Sequence, residues 1–364
     1  MTDEELLALH REIVAVRSVS GEEGALRDFI AGRLSAAGVE PVCIGDNLVA
    51  LSGSGSRVCL NSHLDTVPPC PGWSRDPLRP EVEGGRVYGL GSNDAKASVA
   101  AMLAAFLRLR SGPAPGGGGV MLAFTVQEEV GGRGAEVLVP ELAARGLTPA
   151  AVVVGEPTGL DIAVAQKGLL ILELRGAGRA CHAAHGRALG APNAIRKLAR
   201  DLVALDAIDL GPDHPELGPV TIEPTLVTGG TARNAVPAEA SCILDVRTNP
   251  TEASGRLLGR MQAVVQGDLR VVSDRLVPCE IEPAHPLVQV AREARPEART
   301  FGSRSLSDLV FFAGTPGIKV GPGSTERSHT ADEFVYEREI VAGAAFYERL
   351  VRAWCARRDT GVAG

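Results

Sequence analysis

The chain has 364 residues, of which 45% are hydrophobic, 22% charged and only 4% aromatic. That length suits two domains or one large one, and the composition is that of a globular protein with a core of Leu, Val, Ile and Ala. A net charge of −7, with no basic cluster and no aromatic–basic interleaving, argues against nucleic acid as a partner.

The start, Met1-Thr2-Asp3-Glu4-Glu5, is acidic and runs into a helical pattern rather than a basic and then apolar leader. No stretch approaches the roughly 18 apolar residues that cross a bilayer. Cysteines 43, 59, 70, 181, 242, 279 and 355 are odd in number, dispersed and never in a Cys-x-x-Cys pair. They read as reduced thiols, mostly buried filler, in a cytoplasmic protein that binds neither membrane nor nucleic acid.

In chain order, Thr2 and Glu5 predict a capping box, followed by helical spacing of Leu6, Leu7, Ile13 and Val14. Ser20 and Glu23 predict a second box before a helix with Leu26, Phe29, Ile30 and Leu34, ending at Gly38. Short apolar or β-rich runs follow at 47–51, 58–62, 120–126 and 151–154, with a helix over 97–109 and a Gly/Pro-rich loose connection over 111–119. Strands alternating with helices predict an α/β domain with a central, mostly parallel sheet flanked by helices. After Gly168 the character changes. Strands are expected at 169–175, 220–227 and 242–247, and a helix at 191–205. Residues 169–277 thus read as an inserted, smaller α+β domain, with 1–168 and 278–364 forming the catalytic domain. The latter part holds a strand at 318–320 and a closing helix over 337–354, with a frayed tail over 357–364.

Five acids and two histidines stand out along this frame: His63 and Asp65, Asp94, Glu128 and Glu129, Glu156, and His329 in His329-Thr330-Ala331-Asp332-Glu333. His63, Glu128-Glu129 and Glu156 each follow an expected strand, and α/β sites lie beyond the carboxyl ends of strands. Clustered carboxylates are costly to desolvate unless cations neutralise them. Asp65 has the spacing to orient His63, since residues two apart share a face of an extended segment. Asp94 fits either a cap of the following helix or a carboxylate bridging two metals. Adjacent Glu128 and Glu129 divide labour naturally, Glu128 as a free general base and Glu129 as a ligand. Oxygen-rich donors with one histidine per ion suit Zn²⁺, Co²⁺ or Mn²⁺; two Zn²⁺ are expected, with Co²⁺ as a substitute.

The motifs Ser62-His63-Leu64-Asp65-Thr66-Val67-Pro68, Glu128-Glu129-Val130-Gly131-Gly132, Gly155-Glu156-Pro157-Thr158, Gly230-Thr231-Ala232-Arg233-Asn234-Ala235-Val236-Pro237 and Gly321-Pro322-Gly323 resemble, in order, those of the zinc aminoacylase/carboxypeptidase family of metallopeptidases. That family includes acetylornithine deacetylase and succinyl-diaminopimelate desuccinylase. The resemblance implies one ion held by His63, Asp94 and Glu156, and another by Glu129, His329 and the same Asp94. It implies Glu128 as base, Asp65 as the acid behind His63, and a dimer made through the inserted domain. It also implies that His182 helps stabilise the transition state and that Asn234 and Arg247 lie near substrate. Ala95 after Asp94 departs from the family's usual residues, as does His185-Gly186 after His182.

The segments Gly89-Leu90-Gly91-Ser92-Asn93-Asp94, Ala165-Gln166-Lys167-Gly168 and Ser305-Leu306-Ser307-Asp308 resemble the acetylornithine deacetylase branch. The resemblance therefore implies deacetylation of acetylornithine in arginine biosynthesis, with acylated citrulline as an alternative. Arg247, then Arg233, would read the substrate carboxylate, and Asp308 a distal amine. A dipeptidase or carboxypeptidase would share every metal residue. A metal-binding protein without catalysis would not need a free Glu128, and no Gly-x-Ser-x-Gly elbow marks a serine hydrolase.

Overall fold

The computed structural model describes residues 1–55, 57–111 and 118–359. The expected loose connection over 111–119 and frayed tail over 357–364 fall mostly outside those residues. Two compact units emerge: Met1–Val164 with Ile281–Phe301 and Ser307–Gly364, and Ala165–Glu280 with Gly302–Leu306.

In the first unit the parallel strands Gly119–Thr125, Arg57–His63, Ala151–Val154 and Gly317–Lys319 lie side by side in that order. Asn47–Gly53 runs antiparallel on one flank and Ile162–Gln166 on the other. The sheet is therefore parallel at its centre and mixed at its flanks. Gly119–Thr125 and Ala151–Val154 are buried at every position, as strands covered on both faces must be. Their apolar runs were visible in the sequence for that reason. Helix Lys96–Ser111 is also buried nearly all round, and Ala97, Ala100, Ala101, Ala104 and Ala105 let its neighbours approach closely. The closing helix runs over Glu337–Asp359, longer than its apolar pattern. Among the described residues no helix is long and apolar enough to cross a membrane.

The capping box at Thr2 forms as expected, with Thr2 Oγ1 accepting the Glu5 N–H and Glu5 accepting the Thr2 N–H. The one expected at Ser20 does not. Helix Gly24–Ala36 starts without a side-chain cap. Ser20 Oγ instead donates to Asp65 at 2.7 Å, and Glu23 accepts the N–H groups of Gly21 and Gln127. Partners distant in sequence outbid the local motif.

The second unit holds an antiparallel sheet ordered Thr221–Gly229, Glu239–Thr248, Gly168–Ala177 and Asp268–Leu276. Burial alternates along Gly168–Ala177 and Glu239–Thr248, so only one face meets the core of Leu172, Leu174, Leu244, Val246, Leu257 and Met261. Helices Ala194–Leu205 and Ser254–Val264 supply the rest of that core. Among the described residues the seven cysteines form no disulfide, and only Cys59, Cys242 and Cys355 are buried.

Buried His10 on helix Asp3–Ala15 faces Ser92 O at 2.9 Å through Nε2, while among the described residues Nδ1 has no hydrogen-bond partner. The ring is then neutral with its proton on Nε2, and a second proton would be a buried, unpaired charge. Burial, opposed by the Ser92 bond and aided by Lys96 and Arg11, lowers its pKa to about 4. The unfolded chain therefore binds this proton first as pH falls. Stability present above pH 6.5 should be lost toward pH 4, by about 3 kcal/mol from this group. Urea unfolding of wild type and His10→Gln at pH 7 and pH 4.5 checks this. An identical pH dependence in the two proteins would refute it.

Candidate active site

Because the four central strands are parallel, their carboxyl ends share one edge. His63 closes its strand there, Glu128 and Glu129 follow Thr125, and Glu156 follows Val154. The Arg57–His63 and Gly119–Thr125 register pairs His63 directly with Thr125.

His63 is buried. Its Nδ1 lies 2.9 Å from the Asp65 carbonyl and 3.5 Å from Asp65 Oδ1. The backbone carbonyl of Asp65 is therefore the nearer acceptor for the Nδ1 proton, which leaves Nε2 to face the carboxylates and, once its own proton is lost, to act as a ligand. Nε2 stands 3.3 Å from Asp94 Oδ1 and 3.9 Å from Glu156 Oε1. The Asp65 carboxylate also gathers Ser20 Oγ and the N–H groups of Glu128 (3.0 Å) and Glu129 (3.1 Å). One acid thus sets both the histidine and the Glu128-Glu129 turn. Burial opposes its charge, but bonds from His63, Ser20 and the Glu128 N–H hold its pKa below the ordinary range.

Asp94 stands two residues before helix Lys96–Ser111, and its carboxylate faces two imidazoles. Its Oδ1 faces His63 and its Oδ2 lies 3.9 Å from His329 Nε2. His329 Nε2 also meets Glu129 Oε1 at 2.9 Å. His329 lies in a loop, with φ of 60°. The donor atoms of His63, Asp94 and Glu129 all fall within 4.8 Å of one another, a spacing able to hold a metal ion.

The electrostatics fit cations. Burial and then Glu156 push the Glu128 carboxyl well above the carboxylate range. Burial lifts Glu156 to about 8 against the pull of Lys319. The Glu129 bond raises His329 to about 9, and Asp65 and Asp94 raise His63 against its burial. Histidine protons and unwilling carboxyl protons are holding down a surplus of buried negative charge. Divalent ions relieve that surplus, and the all-N/O donor set accommodates them.

Residues 59–353 match the profile of peptidase family M20/M25/M40. The chain belongs to that family. This M20 chain is 34% identical over 375 residues to a succinyl-diaminopimelate desuccinylase of Acidiphilium cryptum, covering 96% of this chain and 99% of the relative. It is 30% identical over 387 residues to a probable carboxypeptidase of Aspergillus terreus, covering 97% and 87%. Among solved structures, the aminopeptidase PepT of Bacillus cereus shares its fold with a TM-score of 0.82 at 22% identity, covering 97% of this chain and 99% of that one.

The other expected site residues of this M20 chain are placed differently. Asp308 is buried in the first unit and accepts a bond from Thr125 Oγ1. Burial lifts its carboxyl to about 6. In the second unit, Arg233 and Asn234 are exposed. Arg247 already pairs with Asp245 through two bonds of 2.7 and 3.1 Å. His182 is exposed, and its Nδ1 accepts the Ala184 N–H at 3.2 Å.

Two residues of this neighbourhood carried no assigned role in the sequence. Buried Lys319, paired in register with Val154, acts on Glu156. Buried Glu333 accepts backbone N–H groups from the Asp94 loop. A lysine inside an apolar strand was a usable signal for the first; the second had none.

Proposed function

We propose that this M20 hydrolase is a two-metal amidohydrolase that removes the acyl group from an N-acyl-L-amino acid. The observation that carries this is Asp94, whose two oxygens face the Nε2 atoms of His63 and His329 at 3.3 and 3.9 Å. In this reading His63, Asp94 and Glu156 hold one ion, and Asp94, Glu129 and His329 the other. Zn²⁺ is the proposed metal, with Co²⁺ as a substitute. Bound ions would supply charge neutralisation and Lewis-acid polarisation of the amide carbonyl.

The protein's own groups do the rest. Glu128, held by its N–H on Asp65, takes a proton from the attacking water as the new C–O bond forms. It returns that proton to the nitrogen as the C–N bond breaks, leaving a carboxylate and a free amine. His182 accepts at Nδ1, so its neutral ring carries the proton on Nε2 and suits donation to an oxyanion. Arg247, Arg233 and Asn234 are the proposed substrate-reading groups, and Arg247 would exchange Asp245 for the substrate carboxylate.

Two acyl groups compete. The segments around Asp94, Lys167 and Asp308 favour acetylornithine and a place in arginine biosynthesis. The desuccinylase relative from Acidiphilium cryptum favours a succinyl amide. Amine release from N-acetylornithine, N-acetylcitrulline, N-succinylcitrulline, N-succinyl-diaminopimelate and a dipeptide panel, with and without Zn²⁺ or Co²⁺, decides between them. Turnover of dipeptides alone would sink the deacylase reading in favour of a peptidase.

We also propose a cytoplasmic homodimer formed through residues 169–277. Strand Thr221–Gly229 is an edge strand, and Leu226 and Val227 on it are 60% and 63% exposed. Such an edge offers unpaired backbone groups to a second copy. Sedimentation should give a dimer for the wild type and a monomer for Val227→Lys; a monomeric wild type would contradict the proposal.

A further inference from the structure

We propose that Glu333 is a positioning residue that presets the Asp94 carboxylate, and its spacing from His329, before any ion binds. This rests on the reading of Asp94 as the ligand shared by two ions.

Strand Phe334–Tyr336 pairs antiparallel with Arg86–Tyr88, with Phe334 opposite Tyr88. The pairing runs one step further, where the Gly89 N–H meets the Glu333 carbonyl at 3.0 Å. That register brings the Glu333 side chain over the turn that follows Gly89. Its Oε2 accepts the Gly91 N–H at 2.9 Å, and its Oε1 accepts those of Asn93 at 2.9 Å and Asp94 at 2.8 Å. Glu333 is 2% exposed, so these bonds form out of water. Among the described residues no other acceptor takes these three amides.

Three N–H groups converge on one carboxylate only when the loop holds this conformation, and one of them belongs to Asp94. The backbone origin of the Asp94 side chain is fixed as a result. Glu333 also lies four residues from His329, on a loop whose His329 and Asp332 take φ of 60° and 54°. Asp332 anchors that loop elsewhere, accepting Ser74 N–H, Ser74 Oγ and Arg75 N–H. The two adjacent acids therefore have separate tasks. Asp332 ties the loop to 74–75, while Glu333 ties the loop carrying one proposed ligand to the loop carrying another. Gly91 shows how closely this turn is built. It takes φ of 73°, and a Cβ there would stand 2.4 Å from Thr66 Cγ2.

The test is hydrogen exchange at Gly91, Asn93 and Asp94 in metal-free and Zn²⁺-loaded wild type, with ion titrations of Glu333→Gln and Asp332→Asn. Equal protection in both wild-type states is expected. Glu333→Gln should lose that protection, bind ions at least about tenfold more weakly, and lose kcat with KM little changed. Asp332→Asn should lower Tm but keep the ion stoichiometry. Protection that arises only on loading would overturn the proposal, because the ions and not Glu333 would then order the loop. So would wild-type ion affinity in Glu333→Gln, or equal ion loss in both variants. If Glu333→Gln fails to fold, the wild-type comparison alone decides. That comparison needs no substrate, so it stands apart from any failure of the deacylase reading.

Discussion

Replacing Glu128 by alanine is expected to lower kcat by about 10³-fold while the protein keeps its fold and its ions. The magnitude is that of a lost general base. The reason lies in how Glu128 differs from Glu129. Glu129 Oε1 is engaged by His329 at 2.9 Å, and its side chain belongs to the cluster able to hold an ion. Among the described residues, Glu128 has its backbone tied to Asp65 but no side-chain bond of its own. Burial, Glu156, Asp308 and Glu129 all make it a readier proton acceptor than an ordinary carboxylate, with only His63 opposing. A free, half-buried carboxylate beside a ligand cluster is what proton transfer needs. Turnover of the best substrate by Glu128→Ala and Glu128→Gln, with ion content measured on the same samples, checks this. A variant that turns over normally, or that fails because it has lost its ions, would remove Glu128 from the role of base.

The second large effect concerns Asp94→Ala. Ion affinity should fall by more than about 100-fold, beyond the loss typical when only a carboxylate behind a ligand is removed. Activity should fall to background. Asp94 faces two imidazoles that belong to different proposed ion positions, so its loss weakens both together. Glu156→Ala, by contrast, should weaken the position shared with His63 first. Calorimetry gives a second readout. Ions at 100 times their Kd stabilise the wild type by about 2.7 kcal/mol per site, and Asp94→Ala should show almost none of that gain. Stepwise loss of one ion only, with the other bound as in wild type, would show that Asp94 does not bridge.

The family and the fold class were legible because their signals are local. Residues 120–126 and 151–154 had to be apolar to lie inside a sheet covered on both faces, and that leaves an unbroken run in the sequence. The candidate ligands were legible for a related reason. In a parallel sheet they must follow strand ends, so His63, Glu128-Glu129 and Glu156 each appear just after such a run.

What the sequence could not determine is which distant group each side chain meets. Ser20 and Glu23 had the spacing of a capping box, yet Asp65 and the Gln127 N–H took them, because a buried acid and a buried amide must be satisfied wherever a partner lies. Asp94 could have been a helix cap, and only the arrival of His63 and His329 from 31 residues before and 235 after turned its two oxygens to opposite partners. That Asp308 would be buried on Thr125, and that Asp245 would stand beside Arg247, likewise depended on packing and strand geometry that no local pattern shows. Glu333 had no local signature at all. Its role depends on the pairing of Phe334 with Tyr88, and strand register is a property of the folded sheet, set by side chains and backbone amides that lie far apart along the chain.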